Sequence, residues 1–270
     1  MIPSLIPCSE MVLIYTKLKS ELKTNLFGIG CAAHIVNNTL HSAADCLPLD
    51  IESFLVKIHS YFYMYTVRVE ELKDFCKYES VEYHTILGYC KTRWLSMLPA
   101  IERIIVMFKP LKAYFLPQRM CPAILRDFFN NEAAEFRLHF VQKQAAIFND
   151  VLLQGQTTTI FETSYILSNL LQKYENRLND RFISTDLKKS CGGTPSELLM
   201  NSVLDFYKNC VLYLEKWISE FQEFNVFSWM RLKQVPDWNN VSESLSKLMV
   251  SLTVDETQLY DEFASVKVFI

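Results

Sequence analysis

Cys31-Ala32-Ala33-His34 sets a thiol and an imidazole three residues apart, on one face if the segment is helical. Both are zinc-ligand types, but a structural site takes about four ligands and a catalytic one about three. The nearest further donors are His41 and Asp45, and no second Cys/His pair follows at finger spacing. A packed thiol and a hydrogen-bonded imidazole are the simpler reading, so no metal site is expected. His59, His84 and His139 are isolated in sequence. Among the carboxylates, Asp45, Asp50 and Glu52 gather at a helix junction, where capping explains them. Glu70, Glu71 and Asp74 fall on the solvent side of a long helix. None of these sets makes the clamp of carboxylates that two-metal phosphoryl transfer needs. A phosphate-cradling glycine loop, a nucleophile elbow and a Cys/His dyad are also missing. No catalytic residue, no cofactor and no enzymatic activity are expected.

Charge singles out a different segment. Between Tyr89 and Arg126 lie Lys91, Arg93, Arg103, Lys109, Lys112, Arg119 and Arg126 against Glu102 alone, a local excess of +6 in a chain of net charge −3. Trp94, Phe108, Tyr114 and Phe115 are interleaved with these cations. Phosphate contact with base stacking uses such a combination. A helix pair with a solvated cationic face and an apolar core face produces the same pattern.

The elements that position these residues are helices. Six glycines and nine prolines in 270 residues leave few breaks, which disfavours a β-sandwich. The eight scattered cysteines read as buried thiols of a reducing compartment. No apolar run approaches the ~20 residues of a membrane span. Met1 to Tyr15 lacks a basic start and is interrupted by Pro3 and Pro7, so no secretory signal is expected. A helix begins at Met11. Residues 25–30 read as one short buried strand feeding a helix from about Cys31 to Cys46, with Ile35, Val36, Leu40 and Ala43 inward.

Residues 49–87 hold neither Gly nor Pro, and Ile51, Phe54, Ile58, Phe62, Tyr65, Val69, Leu72 and Cys76 keep helical spacing, which predicts one long helix. A second follows Thr92-Arg93-Trp94, with Leu98, Ile101, Ile105 and Phe108 on one face and Pro110 kinking or ending it. Further helices are expected near 123–152, 158–177, 179–190, 195–224, 241–250 and 255–266.

Two segments in this order carry a family resemblance. Phe27-Gly28-Ile29-Gly30-Cys31-Ala32-Ala33-His34-Ile35-Val36-Asn37-Asn38 looks like the strand-to-helix segment with the Cys-x-x-His motif of the hAT transposase superfamily. Lys91-Thr92-Arg93-Trp94-Leu95-Ser96 looks like that family's Arg-Trp motif at the expected distance after a long helix. The chain thus resembles the domesticated, vertebrate-type hAT relatives, clearly over about residues 17–116. The resemblance implies an RNase H-like core interrupted by a large helical insertion, with three acidic residues binding Mg²⁺. It implies a base-stacking role for Trp94, with Arg93 as its electrostatic neighbour, and a place near the active-site phosphate for His34. The chain departs from the family at all three acidic positions. It also lacks the Ala-x-x-Glu-Arg segment of the family's dimerisation end and the N-terminal BED-type finger.

The expectation is therefore a mainly α protein: a truncated RNase H-like strand–helix unit over 1–48, a helical insertion domain over 49–250 and a helical tail over 251–270. Cys31, His34, Arg93 and Trp94 are its motif residues. Arg93, Trp94, His34, Lys91 and Arg103 are its candidate nucleic-acid contacts. The expected function is a non-catalytic, transposase-derived module binding another protein or, weakly, DNA, with no membrane partner and a nuclear location. A fragment of an active hAT-type transposase and a structural helical scaffold are the alternatives.

Overall fold

The computed structural model describes residues 16–18, 20–21, 31–89, 94–154, 160–222, 225–231, 237–248 and 254–266. Over these the chain is mainly helical, and no strand occurs among the described residues. The α class is as the sequence predicts. The strand read at 25–30 lies outside the described residues, so the RNase H-like strand–helix unit finds no support in the structure.

The helices are α1 (Ala32–Ala44), α2 (Ile51–Tyr63), α3 (Thr66–Tyr78), α4 (Leu98–Val106), α5 (Phe108–Phe115) and α6 (Ala123–Asn130). They continue as α7 (Ala134–Gln154), α8 (Ile160–Asn179), α9 (Thr185–Ser190), α10 (Glu197–Gln222), α11 (Trp238–Leu248) and α12 (Glu256–Val266). Short 3-10 turns occupy Trp94–Met97 and Asn225–Arg231. The chain divides into two compact units. One comprises Met1–Ile35, Gly155–Asn169 and Glu215–Ile270; the other comprises Val36–Gln154 and Leu170–Leu214.

In the larger unit α2 packs on α6, α3 on α5, α4 on α7 and α7 on α9. Aromatic rings fill the contacts. Phe54 stacks on Phe128 with centroids 3.5 Å apart, Phe115 stacks on Phe129 at 5.5 Å, and Phe140 meets Phe206 edge-on at 5.0 Å. The inward stripe of α1 is the expected one, with Ile35, Val36, Leu40 and Ala43 all buried. The smaller unit has a core of Val241, Leu245 and Phe263 flanked by Trp229 and Trp238. There the Trp229 indole N–H donates to Ser244 Oγ at 3.1 Å.

Three expected helices are broken. The long helix over 49–87 is α2 and α3, separated by Met64 and by Tyr65 in an extended conformation, and the chain leaves the helix after Tyr78. No glycine or proline forces the corner. Thr66 and Val67 are adjacent β-branched residues of low helix propensity. The turn also lets Leu72 and Cys76 bury while α3 packs on α5, and tertiary burial outweighs propensity. The helix after Trp94 breaks at Met107. Pro110 has no N–H and would clash with the Val106 carbonyl, so α5 restarts at Phe108 with Pro110 in its first turn. The buried face of α4 is accordingly Ala100, Ile101 and Ile104, one residue round from the expected stripe. The helix at 123–152 breaks at Asn131, whose Oδ1 accepts the Ala133 N–H at 2.9 Å in an Asx turn.

Candidate functional site

Cys31 is exposed just ahead of α1, where its carbonyl accepts the Ile35 N–H at 3.0 Å, and His34 is half-buried on the first turn. No group of three or more His, Cys, Asp or Glu that could hold a metal ion occurs among the described residues. One turn along the same helix, Asn37 Oδ1 accepts the Leu95 N–H at 3.3 Å. Leu95 directly follows Trp94, which opens the 3-10 turn. The segments bearing the two motifs are thus joined by a hydrogen bond. Lys91 and Arg93 lie outside the described residues.

Two of the segment's described cations are turned to other work. Arg103, half-buried on α4, donates to the Thr85 carbonyl at 3.0 Å, and Arg126 donates to the carbonyls of Gln118 and Arg119 at 3.4 and 3.0 Å. Both arginines hold backbone. Phe108, Tyr114 and Phe115 are buried in the aromatic core and present no ring to a base. These three rings belong to an apolar core face, because burying a ring contributes more stability than leaving it exposed. Lys109 and Lys112 remain on α5, beside Glu79 in a shallow surface cleft.

Of the carboxylates at the α1–α2 junction, Asp50 caps as expected. Asp50 Oδ1 accepts the Ser53 N–H at 2.8 Å at the start of α2. Glu52 faces His41 at 3.5 Å. Burial, then the Glu52 and Asp50 carboxylates, push the Tyr89 hydroxyl up to about 12.

The structure builds a different site at the α2–α3 corner, in the larger unit. Because α2 ends there, the Tyr65 N–H turns to the Phe62 carbonyl and leaves the Tyr61 carbonyl free of its helical partner. Arg68 takes that acceptor with one N–H, at 2.9 Å. Its guanidinium lies between two rings, 4.0 Å from the centroid of Tyr61 and 3.9 Å from that of Tyr65. Behind it the Tyr61 hydroxyl donates to Gln118 Oε1 at 2.9 Å, and the Tyr114 hydroxyl donates to Glu71 Oε2 at 3.1 Å. Burial, then the hydroxyl of Tyr61, raise Tyr114 well above the ordinary phenol range. These groups, with Met64, Thr66 and Val67, line an open cleft of about 580 Å³. Two of its apolar lining residues face solvent: Met64 is 77% exposed and Val67 70%.

Sequence reasoning missed this site, though a signal was present. Tyr61, Tyr65 and Arg68 step by four and three, an aromatic pair with a cation along one helical face.

Fold and site together define a mainly helical protein with an aromatic-clamped arginine and an exposed apolar corner. No protein-family model, curated protein or solved structure matches the chain. No helix among the described residues is long and apolar enough to cross a membrane.

Proposed function

We propose that this chain is a transposase-derived helical module that binds another protein and neither cuts nor joins DNA. One observation carries the reading: Met64 and Val67 stand exposed in one cleft at a corner that the sequence does not break with glycine or proline. An exposed apolar cluster with a polar floor is the usual character of a protein-docking surface. Descent from hAT transposases rests on the two motif segments, and the Asn37–Leu95 hydrogen bond supports it by drawing them together. A nuclear location follows from the same resemblance.

The second reading is weak DNA binding, favoured by Lys109 and Lys112 on α5 and by the Arg93-Trp94 motif. Two charge-altering double variants separate the readings. Met64→Glu with Val67→Glu should abolish co-purification of protein partners from nuclear extract and leave retention on single-stranded DNA unchanged. Lys109→Glu with Lys112→Glu should change neither property. If the corner variant keeps every partner while the lysine variant loses salt-dependent DNA retention, DNA binding is the better reading.

A further inference from the structure

We propose that the α2–α3 corner is a receptor for a carboxylate, the side chain of an acidic residue set among apolar residues in a partner protein. The inference deepens the protein-docking reading and rests on it. Arg68 has one N–H committed to the Tyr61 carbonyl, and among the described residues it pairs with no carboxylate. On the same helix Lys73 pairs with Glu70 and Lys77 with Asp74 at the same three-residue spacing, whereas Arg68 and Glu71 do not pair. The guanidinium carbon stands over the rings of Tyr61 and Tyr65, which hold the side chain in place, and the N–H groups not given to Tyr61 lie in the guanidinium plane and point out from its edge. That edge matches the planar fork of a carboxylate.

The other polar groups of the cleft narrow the choice. The hydroxyls of Tyr61 and Tyr114 already donate to Gln118 and Glu71, so Arg68 is the cationic donor that the cleft offers a guest, beside the neutral hydroxyls of Tyr65 and Thr66. Glu71 lines the same cleft and repels a second negative charge, so a singly charged carboxylate fits better than a phosphate dianion. Met64, Tyr65 and Val67 supply the apolar wall for residues flanking the acid.

The probes are the capped tripeptide acetyl-Leu-Glu-Leu-amide and its Gln counterpart, which differ only in carboxylate against amide. Each is titrated into the full chain and followed through the Arg68 Nε–H resonance. The Glu peptide should bind about tenfold tighter than the Gln peptide, the difference between a charge-assisted and a neutral hydrogen bond. It should shift the Arg68 resonance in the wild-type chain, a readout that a purely structural arginine would not give. Arg68→Gln should erase the preference, and Arg68→Lys should weaken it, because an ammonium lacks the planar fork. Equal binding of the two peptides overturns the carboxylate while leaving a docking surface. Binding of neither, or a preference that survives Arg68→Gln, overturns the inference outright.

Discussion

Replacing Arg137 with methionine should make the protein more stable. Arg137 lies on α7 and is 6% exposed, its Nε sealed from solvent with no hydrogen-bond partner. Among the described residues no carboxylate pairs with it, and burial alone lowers its affinity for a proton. A buried donor left without an acceptor costs about 1–3 kcal/mol, more when charged. Methionine fills most of the volume of the stem without a charge, so packing is largely kept. Where buried ionic groups have been replaced by apolar ones the gain has been about 1–4 kcal/mol. A gain of about 1–2 kcal/mol is expected, raising the melting temperature by about 2–4 °C per kcal/mol at this size. Arg177 is the internal control. It donates to Gln144 Oε1 at 3.0 Å, beside the Tyr174 hydroxyl that donates to the same oxygen at 3.1 Å. Arg177→Met should therefore destabilise, by about 0.5–1.5 kcal/mol. Urea unfolding of both variants, followed by far-ultraviolet circular dichroism, gives the comparison. Loss of more than about 1 kcal/mol in Arg137→Met would refute the reasoning, since it would mean the charge is compensated.

Asn37→Ala removes the acceptor of the Leu95 N–H, and amide exchange at Leu95 should rise by about tenfold while exchange at Ile101 and Ile104 stays unchanged. Burial, then Lys143, hold the His139 imidazole below its ordinary value against the opposing pull of Glu135. The folded chain then takes up that proton less readily than the unfolded chain. Its contribution to stability is complete above about pH 6.5 and is lost as pH falls through the depressed value; His139→Gln should flatten the stability profile over that acidic window in urea unfolding. Burial raises the pKa of the Tyr89, Tyr114, Tyr174 and Tyr207 hydroxyls, so the tyrosine absorbance titration should proceed in two steps, these four ionising only as the alkaline protein unfolds. Purified protein with Mg²⁺ or Mn²⁺ should neither nick nor join supercoiled DNA in a gel assay, and cleavage that persists through repurification would contradict the non-catalytic reading.

What sequence reveals here depends on how local the deciding interaction is. The stripe of α1 and the Asp50 cap were legible because helix periodicity and capping each reach only three or four residues along the chain. The corner at Met64 and Tyr65 was not, because α3 turns there to pack on α5, more than thirty residues further on. The same distance hides the roles of Phe108, Tyr114 and Phe115. Aromatic residues among cations are the composition of a nucleic-acid surface and of an aromatic core alike. Only their packing with one another and with Phe62, Phe75 and Phe129 decides between the two. At the corner the spacing of Tyr61, Tyr65 and Arg68 was readable, but the freed Tyr61 carbonyl that seats the arginine exists only once the helix has ended.

The two-unit division bears on how the chain is born. The larger unit is built from 36–154 and 170–214, whereas the smaller needs 1–35, 155–169 and 215–270 together. A ribosome adds about 5–20 residues per second. The first segment of the smaller unit therefore waits on the order of ten seconds for the last to emerge, and the larger unit has all of its residues sooner. Ile35, buried at the end of that first segment, spends that interval before its unit is complete. A chaperone that grips short apolar stretches has its opening then, and slowing translation beyond residue 215 lengthens it.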